Sequence, residues 1–151
     1  MSIPSTEHAT VVVERDFTSP PARVFAAWAD PQAQKLWCVP GEGWEIAEHE
    51  SDFRVGGRLM SRFGPKGDPK NWDEGRYLDI AANERIISAG AMQSGKTRTS
   101  ATLCTVEFHP KGTGTHLILT DQSVYLTQET PKDRTEGWGE ILAHLAEYLE
   151  R

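Results

Sequence analysis

Cysteine is scarce in this chain of 151 residues: only Cys38 and Cys104 are present. No CxxC spacing and no cysteine-dense framework exist, which excludes a disulfide scaffold and a cysteine metal site and leaves two free thiols acting as small apolar side chains. Positive charge is also in deficit, with 16 Lys+Arg against 22 Asp+Glu and a formal net charge of -6. That balance disfavours the phosphates of nucleic acid and anionic lipid as partners. No apolar run approaches the length of a membrane span, and Met1 to His8 lack a basic region followed by an apolar one. The expectation is therefore a soluble, intracellular (cytoplasmic) protein with no signal peptide and no membrane partner.

Catalytic and metal motifs are missing as well. His8, His49, His109, His116 and His144 form no HxH, HxxxH or HExxH spacing, so no metal site is expected. There is no GxSxG, no Ser-x-x-Lys and no cysteine beside a patterned histidine, so nucleophilic catalysis has no support. Gly56-Gly57 precedes a strand and lacks the phosphate-loop pattern; a bend or bulge between strands is the reading there. No cofactor is expected.

What is present is a long amphipathic helix from Arg134 to Arg151. At about 100° per residue, Trp138, Ile141, Leu142, Leu145 and Leu149 share one stripe, with Glu136, Glu140 and Glu147 opposite. The stripe must be buried, and the rest of the chain offers a sheet. Thr10 to Thr18 alternates as a half-buried strand; Ser19-Pro20-Pro21 then opens a short helix carrying Val24, Phe25 and Trp28, and Asp30-Pro31 opens a second, to Trp37. Pro40, Gly41 and Gly43 close that unit. Six further strands follow, Trp44 to Glu50, Arg58 to Phe63, Glu74 to Ile80, Arg85 to Met92, Thr99 to Phe108 and Thr115 to Leu126, separated by polar or glycine-rich turns. The loop from Gly64 to Trp72 reads as a solvated connection or as a lid. Strands in series with helices at the ends predict an α+β fold, helices gathered on one face of an antiparallel sheet. The length suits one domain, residues 1–151 with an ordered core from about 9 to 150.

Several segments, in order, resemble a known family. Ser19 to Trp28 with Asp30-Pro31 and Trp37 is similar to the opening of START-like (SRPBCC, Bet v 1-like) proteins. Phe53 to Arg58, Gly75 to Ile80, Asn83 to Ile86, Gly114 to Thr120 and Gly137-Trp138 resemble the Hsp90 ATPase activator homologue (AHSA1-like) branch. The resemblance implies a helix-grip fold: a curved antiparallel sheet of about seven strands around the C-terminal helix, enclosing a pocket for an apolar or aromatic small molecule. Two positions depart from the pattern. Asp121 stands where relatives often carry His, and Gly90 where they often carry Trp, which would place a carboxylate in the pocket and remove bulk from it. The domain through which the true co-chaperone grips Hsp90 has no counterpart here, so chaperone association in a stress response is carried over only as an alternative.

Strand parity and the helix stripe nominate lining for that pocket: Arg15, Phe17, Leu59, Phe63, Cys104, Val106, Leu117, Leu119, Asp121, Trp138, Leu142 and Leu145; the resemblance implies Gly90 as a further member, and Tyr77 is a further candidate. The apolar members are core under any reading. Arg15 and Asp121 share parity with apolar neighbours, and either they orient a polar end of the ligand or they reach water at strand ends as a surface pair. Tyr77 is either a pocket hydroxyl or a packed ring. The leading expectation is a small ligand-binding protein. A cyclase- or hydratase-like enzyme with Asp121 as acid/base is the second, and a homodimer is compatible with domains of this size.

Overall fold

Two periodicities, 2 and 3.6, partition the chain. A computed structural model describes residues 6–39, 41–127 and 129–151; Pro40 and the first five residues, on which part of the sequence reading falls, lie outside them. The order is β1 (Glu7–Phe17), α1 (Pro21–Ala29), α2 (Pro31–Trp37), β2 (Trp44–Ser51), β3 (Arg58–Pro65), β4 (Asn71–Ala81), β5 (Arg85–Ser94), β6 (Thr97–Lys111), β7 (Gly114–Tyr125) and α3 (Pro131–Leu149). The expected elements are all present, as an α+β helix-grip fold. Several boundaries differ, among them the start of β4, which takes in Asn71, Trp72 and Asp73 and so shortens the loop expected from Gly64 to Trp72. The polar loop expected from Gln93 to Arg98 contracts because β5 and β6 keep pairing up to Ser94 and Thr97. β1 starts earlier, at Glu7, because β7 supplies partners as far as Tyr125. α3 begins one turn before Arg134.

That last difference has a local cause. Thr130 Oγ1 accepts the Asp133 N–H at 3.2 Å while Asp133 Oδ2 accepts the Thr130 N–H at 3.1 Å, a reciprocal capping box ahead of Pro131. α2 begins in a simpler way, on Asp30 Oδ1, which accepts the Gln32 N–H at 2.9 Å.

All seven strands form one antiparallel sheet in the order β1-β7-β6-β5-β4-β3-β2. Hairpins join β2 through β7, whereas β1 and β2 lie at opposite edges. The chain between them must cross the whole sheet, and it does so as α1 and α2. The sheet is bent by register shifts that leave an extra residue in β2, β4 and β6 and by a glycine pair. Gly75 and Gly90 face each other across β4 and β5. A β-carbon on Gly90 would stand 2.4 Å from the Glu74 carbonyl oxygen, and one on Gly75 would stand 2.2 Å from that of Ala89. The backbones approach more closely than any side chain allows. Close strand approach therefore accounts for Gly90, in place of the extra pocket room suggested by its departure from the family pattern.

The core lies toward one side. Phe17, Val24, Trp37, Val106, Phe108, Leu117, Leu119, Leu142 and Leu145 are buried together. Phe25 meets Phe108 edge-on at 5.5 Å, and Trp28 meets Trp37 at 4.7 Å. α3 makes its close backbone approaches to β1, α1 and α2. The concave faces of β6 and β7 are sealed, and those of β3, β4 and β5 are covered less completely.

Candidate functional site

The first turn of α3 is tied to the sheet by one arginine. Arg134 Nη1 donates to Asp121 Oδ2 at 3.0 Å, Thr102 Oγ1 at 3.0 Å and Ser123 Oγ at 3.1 Å. Nη2 donates to Ser100 Oγ at 3.0 Å and Glu129 Oε1 at 2.9 Å, and Nε to Glu129 Oε2 at 2.8 Å. All five guanidinium N–H groups are used. The plane also lies over the Tyr125 ring, 5.3 Å from its centroid. Asp121, fully buried, accepts in addition from Ser123 Oγ and from Trp138 Nε1 at 2.8 Å. A charge so deep is tolerable only with such partners.

Beside this anchor lies a stretch of the concave face that is covered less completely. The register pairs Leu59 with Gly75, Ser61 with Asp73, Asp73 with Met92 and Tyr77 with Ser88. Tyr77 is buried in the core, so by strand alternation Asp73, Gly75, Ser61, Ser88 and Met92 point to the same concave side. All five remain half-buried, although β4 and β5 are interior strands. The middle of α3 bounds the other wall: His144 Nδ1 donates to the Val39 carbonyl at 2.6 Å, and Glu140 approaches Gly41 near Trp44. Half-buried Trp44 and Phe63, with ring centroids 6.1 Å apart, stand at this end.

Two sets of polar groups lie on this side of the sheet. Ser61, His49 and Gln34 form a directed chain: Gln34 Nε2 donates to the Trp28 carbonyl, so its Oε1 accepts from His49 Nε2 at 2.5 Å. His49 Nδ1, 2.6 Å from Ser61 Oγ, is then the acceptor of the serine proton. Burial, with Lys35 nearby, lowers the His49 pKa and keeps the ring neutral. The other group is Asp73. Among the described residues no hydrogen bond reaches its carboxylate, and neither oxygen is sealed from solvent. Burial raises its pKa to about 6 against the opposing pull of Arg134, with Asp121 and Glu74 adding to the rise. Burial likewise pushes up the thiols of Cys38 and Cys104, whose charged forms Asp73 further disfavours.

The residues nominated from sequence fall into distinct places. Phe17, Cys104, Val106, Leu117, Leu119, Leu142 and Leu145 are packed in the core, with half-buried Leu59 against them. Phe63 and Trp138 are half-buried. Tyr77 is a packed ring, edge-on to Phe53 at 5.0 Å, with its hydroxyl 2.7 Å from Ser51 Oγ. Gly90 lies in the closely paired strands. Arg15 does not join the others: on edge strand β1 its side chain is exposed. Asp121 is neither a surface group nor an open pocket group, because Arg134, Ser123 and Trp138 occupy it.

Sequence reasoning passed over Asp73, Arg134 and the hydroxyls of Ser100, Thr102 and Ser123. Asp73 was legible by stepping back from Tyr77 in twos, had Asn71 to Asp73 been read as strand. Arg134 needed the Thr130-Pro131-Lys132-Asp133 capping signal, which places it inside the helix. The hydroxyls carried no signal of their own.

Two open depressions, of about 530 Å³ and 660 Å³, lie on the surface, one around Lys35, Ala47, Glu48 and His49 and the other on the outer face around Thr10, Leu103 and Gln122. Among the described residues, no group of three or more His, Cys, Asp or Glu is placed to hold a metal, and no helix is long and apolar enough to cross a membrane.

The chain shares its fold with several solved structures. An uncharacterized protein from Rhizobium leguminosarum is 37% identical over 99% of both chains, with a TM-score of 0.87. The protein Mll3558 from Rhizobium loti is 38% identical over 95% of this chain and 99% of its own, with a TM-score of 0.86. An AHSA1-like protein from Aeromonas hydrophila has the same fold at 23% identity, covering 94% and 92% of the two chains with a TM-score of 0.73. No curated protein matches the sequence. The profile of one family spans residues 18–150, from the end of the first strand through the last helix, including the arginine anchor. The chain belongs to the family of Activator of Hsp90 ATPase homolog 1-like proteins.

Proposed function

We propose that this protein binds a small molecule with a largely apolar or aromatic body in the groove between α3 and strands β3, β4 and β5. One observation carries the reading. Edge strands are accessible as a matter of course, but β4 and β5 are interior, and Asp73, Gly75, Ser88 and Met92 on their concave side stay half-buried, while Cys104, Val106 and Phe108 on β6 and Leu117, Leu119 and Asp121 on β7 are sealed. A sheet and helix packed only for stability would close both halves to the density of a protein interior. Trp44, Phe63, Met92 and Trp138 supply apolar surface, and a few polar groups supply orientation, the usual composition of a small-molecule site.

The test is titration with the neutral fluorophore N-phenyl-1-naphthylamine, alongside gentle native mass spectrometry of the purified protein. Saturable one-to-one binding is expected, weakened about tenfold or more by Met92→Trp, which fills the groove, with the melting temperature preserved. Absence of saturable binding, or equal binding by the Met92→Trp variant, overturns the proposal.

A cyclase- or hydratase-like reaction in the same groove is a second reading. It draws support from Asp73, whose raised pKa suits proton transfer near neutrality, whereas Asp121 has its lone pairs engaged. Assay of Asp73→Asn against wild type on any turned-over substrate tests it, and unchanged kcat would exclude Asp73 as acid or base. Chaperone association rests on family membership alone. The exposed large apolar residues Val12, Leu36, Val55, Leu78, Leu103 and Leu126 are spread over many elements.

A further inference from the structure

We infer that the ligand of this groove carries a cationic nitrogen, seated against the carboxylate of Asp73. The inference rests on the groove reading above and adds the chemical class of the ligand's polar end.

Geometry is the first support. Asp73 lies on an interior strand, across from Ser61 on β3 and Met92 on β5, and points to the concave side. Its oxygens take no hydrogen bond from any described residue and are not among the sealed, unpartnered polar atoms. A carboxylate half withdrawn from water and left without a donor is a recognition element waiting for one.

Charge is the second support. The cation whose field reaches Asp73 is Arg134 on α3, and its five N–H donors are spent on Asp121, Glu129, Ser100, Thr102 and Ser123. Asp121 on β7 and Glu129 before α3 already outnumber that one guanidinium. Asp73 then adds a third negative charge, with Glu74 beside it and the neutral thiols of Cys38 and Cys104 within its field. An anionic ligand would meet net repulsion here, and a neutral one would leave Asp73 desolvated and unpaired. An ammonium or amidinium group would supply the missing donor and charge together. Phe63, paired with Asn71 two residues before Asp73 and with Trp44 at 6.1 Å, offers such a cation an aromatic neighbour on the same side of the sheet.

A matched pair of probes tests this: dansylcadaverine, an aromatic sulfonamide with a primary alkylamine, and its neutral N-acetyl derivative. At pH 7.5 the amine is expected to bind about tenfold more tightly than the amide. Asp73→Asn should abolish the preference while leaving amide binding intact. Because an alkylamine keeps its charge, with a pKa of about 10, the wild-type preference should also fade as the pH drops below 6. Equal binding of the two probes, both blocked by Met92→Trp, overturns the cationic class and leaves the groove standing. A preference that survives Asp73→Asn overturns it as well. If neither probe binds, or Met92→Trp is without effect, the groove reading fails and this inference fails with it.

Discussion

Arg134 Nη1 lies 3.0 Å from Asp121 Oδ2, joining the first turn of α3 to the middle of β7 in a buried charge pair. The pair ends the ambiguity of Asp121. A carboxylate that shares parity with core residues had to find either a ligand or a surface, and it found an arginine from the helix instead.

Removing that arginine should be severe. Arg134→Met leaves Asp121 buried without its cation, with an expected loss of about 3–5 kcal/mol. Arg134→Met combined with Asp121→Asn should recover a substantial part of it. Urea denaturation of the two variants checks both statements; equal stability of the single and double variants would show the ion pair to be uncoupled.

Gly90 should tolerate no side chain. Gly90→Ala places a methyl group 2.4 Å from the Glu74 carbonyl oxygen, so β4 and β5 must part, at an expected penalty of about 1–3 kcal/mol. Thermal unfolding measures it. A Gly90→Ala protein as stable as wild type would mean that the bend relaxes freely.

Asp73 should make the protein less stable as the pH rises from about 4 to about 6. Its folded pKa is raised to about 6 from 3.8, so in that window the folded state binds the proton more tightly and deprotonation favours unfolding. Above pH 6 the penalty is complete. Asp73→Asn removes it, and should stabilise the protein at pH 7 by something on the order of 1–2 kcal/mol while leaving stability at pH 3.5 unchanged. Denaturation midpoints at both pH values decide the matter, and a gain in stability coupled to loss of amine binding would mark Asp73 as kept for function.

The histidines should titrate in opposite directions. His116 donates to Asp16 at 2.6 Å and Glu14 at 2.8 Å, and these carboxylates raise its pKa. His49, buried behind Ser61, is shifted down. Imidazole resonances followed by NMR should show His116 protonated, and His49 neutral, at the pH where an unperturbed histidine is half-charged. His49→Ala should leave the His116 curve in place.

Much of this molecule was legible in one dimension. The elements and their order followed from period-2 and period-3.6 patterning and from Pro31, Asn83 and the glycine-rich turns. The segments resembling AHSA1-like proteins led to the same fold, and the buried stripe of Leu142, Leu145 and Leu149 lies where the helical period put it. The candidate site was legible only in its apolar part. Arg15 has the parity of a core residue but escapes to water because β1 is an edge strand. Asp73 was lost in a polar stretch read as loop. Ser100, Thr102 and Ser123 are unremarkable in sequence and gain meaning only around Arg134.

The sequence by itself determined what must be buried, because hydrophobic periodicity is a local property of the chain. Only the tertiary structure decided which charges are satisfied, since a pair such as Asp121 and Arg134 depends on where a helix lands on a sheet. The fold engages Arg134 in holding α3 and leaves the Asp73 carboxylate on the concave side with no donor among the described residues.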